Sequence, residues 1–100
     1  MKKEEVIKIL QKHRKDIEKF GVKRIGLFGS VARDKANEKS DIDFVVEFGK
    51  GKATFKNFGG LIEFLENLFH REMDILTPEG IKSIRIKSVR ERIKKEVEYV

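Results

Sequence analysis

The chain has 100 residues, a formal net charge of +6, 39% apolar and 40% charged residues, and no cysteine. That size supports a single domain over residues 1–100, with one modest core and no room for a second. Disulfides and thiolate metal sites are excluded, the isolated His13 and His70 argue against zinc, and no apolar run approaches the ~18 residues that a membrane-spanning helix needs.

Met1-Lys2-Lys3-Glu4-Glu5 leads into a charged helical pattern rather than an apolar leader, which sets a cytoplasmic expectation. Val6, Leu10, His13, Ile17 and Phe20 fall at helical spacing and predict an amphipathic helix over about Lys3 to Phe20, ended by Gly21. Val22 to Phe28 reads as a first strand. Ser30 to Asp34 reads as a short helical turn, and Lys35 to Ser40 as a polar loop. From Asp41 to Phe48, apolar Ile42, Phe44, Val46 and Phe48 alternate with Asp41, Asp43, Val45 and Glu47, the period of a strand. Gly49, Gly51, Gly59 and Gly60, with Lys50, Lys52 and Lys56 among them, predict a mobile region. Leu61, Ile62, Leu65, Leu68 and Phe69 carry a helix to about His70. Glu72 to Leu76 reads as a third strand. Thr77-Pro78 marks a helix start, with Thr as cap and Pro in the first turn. From there toward the C-terminus a break near Ile86 to Ser88 predicts two short helices rather than one, and Val97 to Val100 is a candidate last edge strand. The order predicts an α+β fold: a small mixed β-sheet flanked by helices.

The chemistry-bearing feature is Gly29-Ser30, a gap of ten residues, then Asp41-Ile42-Asp43. Residues two apart on a strand point to one side, so Asp41 and Asp43 project together while Ile42 and Phe44 anchor the other face. Carboxylates this close repel unless a cation lies between them, and Mg²⁺ prefers such oxygen ligands and often bridges carboxylate and phosphate. Gly29 allows backbone amides to approach a phosphate. The ordinary alternatives are a strand-to-helix turn and two carboxylates at the start of an edge strand. The segment is not a P-loop, because the Gly-Lys-Ser/Thr ending is missing. It is not an EF-hand, because the third Asp and the Gly are missing.

Gly26 to Arg33 followed by Ser40 to Val46 resembles the nucleotidyltransferase superfamily that includes DNA polymerase beta. In so short a chain it is similar to the minimal nucleotidyltransferases that pair with HEPN-domain proteins. The family usually has Gly after Ala-Arg, where this chain has Asp34, a residue type that tolerates left-handed backbone. The resemblance implies a polymerase-beta-like nucleotidyltransferase core in which Asp41 and Asp43 bind two Mg²⁺ ions. It also implies a third carboxylate on a neighbouring strand. Asp74, in Met73-Asp74-Ile75-Leu76, is the candidate, with Glu72 on the same face as its rival. Gly29 and Ser30 would take the β- and γ-phosphates of ATP. Arg33 is either a phosphate partner or a structural Arg paired with Asp34 or Glu38. Glu47 reads as solvated, and His70 as a helix-end residue. The phenylalanines read as core, with Phe55 and Phe58 set apart as residues that would cover a nucleotide or meet a partner.

The function the resemblance implies is transfer of AMP from ATP to an acceptor hydroxyl, a tyrosine of a HEPN-domain toxin, with this chain as antitoxin. A non-catalytic module that masks its partner is the alternative. A third reading is a transferase acting on RNA or a small molecule. The charge of +6 suits phosphate-rich ligands, but no stripe of aromatic and basic residues favours nucleic acid.

Overall fold

The structure, a computed structural model, describes residues 1–35, 37 and 40–100. Its elements are α1 (Lys3–Lys12), α2 (Arg14–Glu18), β1 (Val22–Phe28), α3 (Gly29–Ala32), β2 (Ile42–Phe48), α4 (Phe55–Phe69), β3 (Met73–Leu76), α5 (Pro78–Lys82), α6 (Lys87–Glu96) and β4 (Glu98–Tyr99). The four-stranded sheet has the order β3-β2-β1-β4. β1 pairs antiparallel with β2 and β4, while β2 and β3 run parallel. This is the expected mixed sheet flanked by helices. The parallel pair requires a crossover, and α4 supplies it.

Alternation on the strands places a core on each face of the sheet. Leu27, Ile42, Phe44 and Val46 bury against Val6, Leu10 and Ile17 of the first two helices and Leu61, Leu65 and Phe69 of α4. Phe28 and Val45 bury on the other face with Ile81 of α5 and Ile93 of α6. Asp43 and Val45 lie two residues apart on β2, so Asp43 belongs to the face that α5 and α6 cover.

The predicted Lys3–Phe20 helix is interrupted at His13 (φ −104°, ψ 20°). There the ring meets Phe64 edge-on, and Nδ1 lies 3.3 Å from the Asp16 carboxylate. The glycine-rich stretch behaves differently from the expectation. α4 begins at Phe55, capped by Thr54, whose hydroxyl accepts the Asn57 amide, and it runs through Gly59 and Gly60. Packing overrides propensity here: the ring of Phe20 lies 2.9 Å from where a Cβ on Gly60 would stand. The cap and Pro predicted at Thr77-Pro78 are present, with the Thr77 hydroxyl accepting the Gly80 amide. The helix break falls at residues 83–86, slightly earlier than expected. β4 is shorter than the predicted edge strand, although Val100 still donates to the Ile25 carbonyl at 2.9 Å. Of the predicted loop at Lys35–Ser40, Ala36, Glu38 and Lys39 lie outside the described residues.

Candidate active site

The strand ends assemble the site. The register sets Phe28 opposite Asp43 and, on the other side of β2, Asp43 beside Asp74. The chain then leaves β1 directly through Gly29. At this residue φ is +77°, a left-handed conformation that disfavours side chains. A Cβ there would also run into the Asp43 carboxylate. Gly29 therefore lets the turn carrying Ser30 lie directly against the first acidic strand. Among the described residues, the Ser30 side chain makes no hydrogen bond.

Asp43 is half-buried, while Asp41 and Asp74 are exposed. The Asp43 pKa is raised from 3.8 to about 6. Desolvation is the main cause, followed by the charge of Asp74, the hydrogen bond the two carboxyls share, and the charge of Asp41. Arg33 opposes the shift. The parallel register that sets Asp74 beside Asp43 accounts for this coupling. Among the described residues, no three acidic or imidazole side chains are gathered closely enough to enclose a metal ion. The donor set nevertheless suits a hard divalent cation: it is all oxygen, and a cation would offset both the desolvation of the Asp43 charge and its repulsion by Asp74 and Asp41.

Glu72 lies just before β3, and its role here is through the backbone: its carbonyl accepts the Ile42 amide at 3.2 Å. It is Asp74 that the parallel register sets beside Asp43. Glu47 is not simply solvated, since it pairs with Arg24 at 2.6 Å. His70 ends α4 in a left-handed conformation (φ 54°), in keeping with its expected helix-end position. Phe55 is fully exposed, and Phe58 packs on Phe48. Both belong to the end of the sheet where Val22 pairs with Phe48, remote from Asp43, so neither covers the acidic site.

Arg33 is paired neither with Asp34 nor, among the described residues, with any other group of its own loop. Its partner is Glu96, at 2.9 and 3.0 Å, while Glu38 lies outside the described residues. Asp34 takes φ 55°, so it fills the position usual for Gly as its residue type allows. Its carboxylate also accepts the Lys3 amide at 3.2 Å, at the start of α1. Two contributors escape sequence reasoning. Arg71 donates to the carbonyls of Asn37 and Ser40, both at 3.1 Å, and so steadies the approach to Asp41. Glu96 accepts the Gly29 amide at 2.7 Å. Nothing in Lys94-Lys95-Glu96 separates it from any other helix-end carboxylate. Beside this contact, Arg33, Ser88, Glu91, Arg92, Lys95 and Glu96 line an open groove of about 470 Å³.

The family model for the nucleotidyltransferase domain matches residues 4–100. The chain belongs to this family. It is 38% identical to the protein adenylyltransferase MntA of Thermococcus cleftensis over 98 residues, covering 97% of this chain and 94% of that one. It is 40% identical to a provisionally named protein adenylyltransferase of Methanocaldococcus jannaschii, covering 96% and 95% of the two chains. Among solved structures, a provisionally named minimal nucleotidyltransferase superposes with a TM-score of 0.75 at 28% identity, covering 98% of this chain and 95% of the other. A toxin–antitoxin crystallised with AMP-PNP shares the fold, with a TM-score of 0.61 at 17% identity, covering 99% and 72%.

Proposed function

We propose that this chain transfers AMP from ATP to a hydroxyl of a partner protein, a tyrosine of a HEPN-domain toxin, and so acts as its antitoxin. The observation that carries the reading is the packing of the Gly29-Ser30 turn against Asp43, with Asp74 at the register position beside it. A turn suited to phosphate thus lies against an acidic pair, which supports this reading. Relatives named as protein adenylyltransferases, matched over nearly their whole length, support a protein acceptor.

In this reading Ser30 and the amides that follow it bind the terminal phosphates, and Arg33 offers hydrogen-bond donors beside them. Asp41, Asp43 and Asp74 would hold Mg²⁺, two ions in all. When bound, the ions stabilise charge on the attacking and leaving oxygens. The acceptor oxygen bonds to the α-phosphorus as the bond to the β-phosphate bridge breaks. Pyrophosphate departs, and the hydroxyl proton leaves through the acidic pair.

Co-expression with the partner tests the assignment. Asp43→Asn is expected to abolish protection of the cell while the two proteins still associate. Full protection by that variant would mean that the chain works by masking its partner.

A further inference from the structure

Glu96 is the last residue of α6, and its carboxylate is saturated. One oxygen accepts the Gly29 amide at 2.7 Å and Arg33 Nη1 at 2.9 Å. The other accepts the same Nη1 at 3.0 Å and lies 3.8 Å from Arg92 Nε. Its side chain is only 14% exposed, against 46% for Arg33. The segment after it is pinned to β1. Gly26 and Leu27 pair with Tyr99 and Glu98, and a Cβ on Gly26 would stand 2.8 Å from Val97 Cγ2 and 2.9 Å from Tyr99 Cδ1. The bare backbone of Gly26 thus lets the chain end lie close, and this fixes Glu96 over the turn.

We propose that Glu96 is a positioning residue for nucleotide binding. It ties down the amide at the start of the Gly29-Ser30 turn and orients Arg33, so that Ser30 and the remaining arginine donors meet the phosphates in a fixed arrangement. The inference rests on the nucleotidyl-transfer reading of the site. Two features oppose the contrary view, in which the carboxylate obstructs phosphate. Its charge is neutralised by Arg33. Arg33 also spends only Nη1 on it, so among the described residues the Nε and Nη2 donors are left for a ligand.

The test is ATP dependence in the full chain with its acceptor protein, alongside binding of an ATP analogue with a methylene between the α- and β-phosphates. Wild type is compared with Glu96→Gln and Glu96→Ala. Glu96→Gln keeps the shape and an acceptor oxygen, so it serves even if the alanine variant folds poorly. It should raise KM for ATP and weaken analogue binding on the order of tenfold, the scale of losing a supporting outer-shell partner, with kcat at saturation little changed. The Gly29 amide proton resonance should move upfield as its charged acceptor is lost. A shifted Gly29 resonance with unchanged KM and affinity would make Glu96 a purely structural contact and overturn the proposal. Tighter binding would overturn it in favour of an obstructing carboxylate. If wild type bound no nucleotide at all, the reading of the site itself would fall, and this inference with it.

Discussion

Gly29 has less freedom to change than any other residue of the site. Its φ of +77° and the Asp43 carboxylate on its Cα both exclude a side chain. Gly29→Ala should cost about 2 kcal/mol or more, from left-handed strain and overpacking together, measurable by urea denaturation, and should abolish nucleotide binding. Asp43 allows a prediction of the opposite sign. Its folded pKa of about 6 lies above the ordinary 3.8. Between those values the folded state holds a proton that the unfolded state has released. Stability therefore falls as pH rises through that window and stays lowered above it. Asp43→Asn should stabilise the ligand-free protein at pH 8 by about 1 kcal/mol, allowing for solvent screening. The gain should shrink as pH drops through about 6. Melting curves of both proteins across this range check it, and a pH-independent difference would refute the origin given for the shift. A divalent cation competes with the same proton, so its binding should weaken as pH falls through that value.

At the level of elements, the legible parts are those where local pattern and tertiary demand agree. Alternation on β2 put Ile42 and Phe44 in the core and Asp43 at the site. The Thr77-Pro78 pair opened α5 because cap chemistry is local. The start of α4 was not legible. Gly59 and Gly60 read as breakers, and the ring of Phe20 that fills the space at Gly60 comes from a distant part of the chain. At the His13 interruption the ring likewise meets a residue distant in the chain, Phe64. Thr54 caps α4 at the end of the sheet remote from Asp43. Thr54→Ala should therefore cost about 1 kcal/mol of stability and leave nucleotide affinity unchanged, as thermal melting and analogue titration would show. Gly26→Ala should act in the other direction on function. By displacing Val97 and Tyr99 it should loosen Glu96, so that a rise in KM for ATP accompanies the loss of stability.

For the molecule as a whole, the site was legible wherever its residues lie on one strand or one turn. The ten-residue gap between Ser30 and Asp41 carried both halves of it, while Asp74 came from the family resemblance, with Glu72 left as its rival on the same strand face until the register set Asp74 beside Asp43. Glu96 and Arg71 were not legible, because each reaches the site from an element whose docking no local pattern encodes: Glu96 stands 67 positions from Gly29. No helix among the described residues is long and apolar enough to cross a membrane. The chain's net charge of +6 favours phosphate-rich ligands. The most direct measurement is the intact mass of the candidate acceptor protein after incubation with this chain, ATP and Mg²⁺, with Asp43→Asn as control. Adenylyl transfer predicts a gain of one or more AMP units on the acceptor, located by fragmentation to a tyrosine and absent in the control. An acceptor of unchanged mass in a stable complex with the wild-type chain would rule it out.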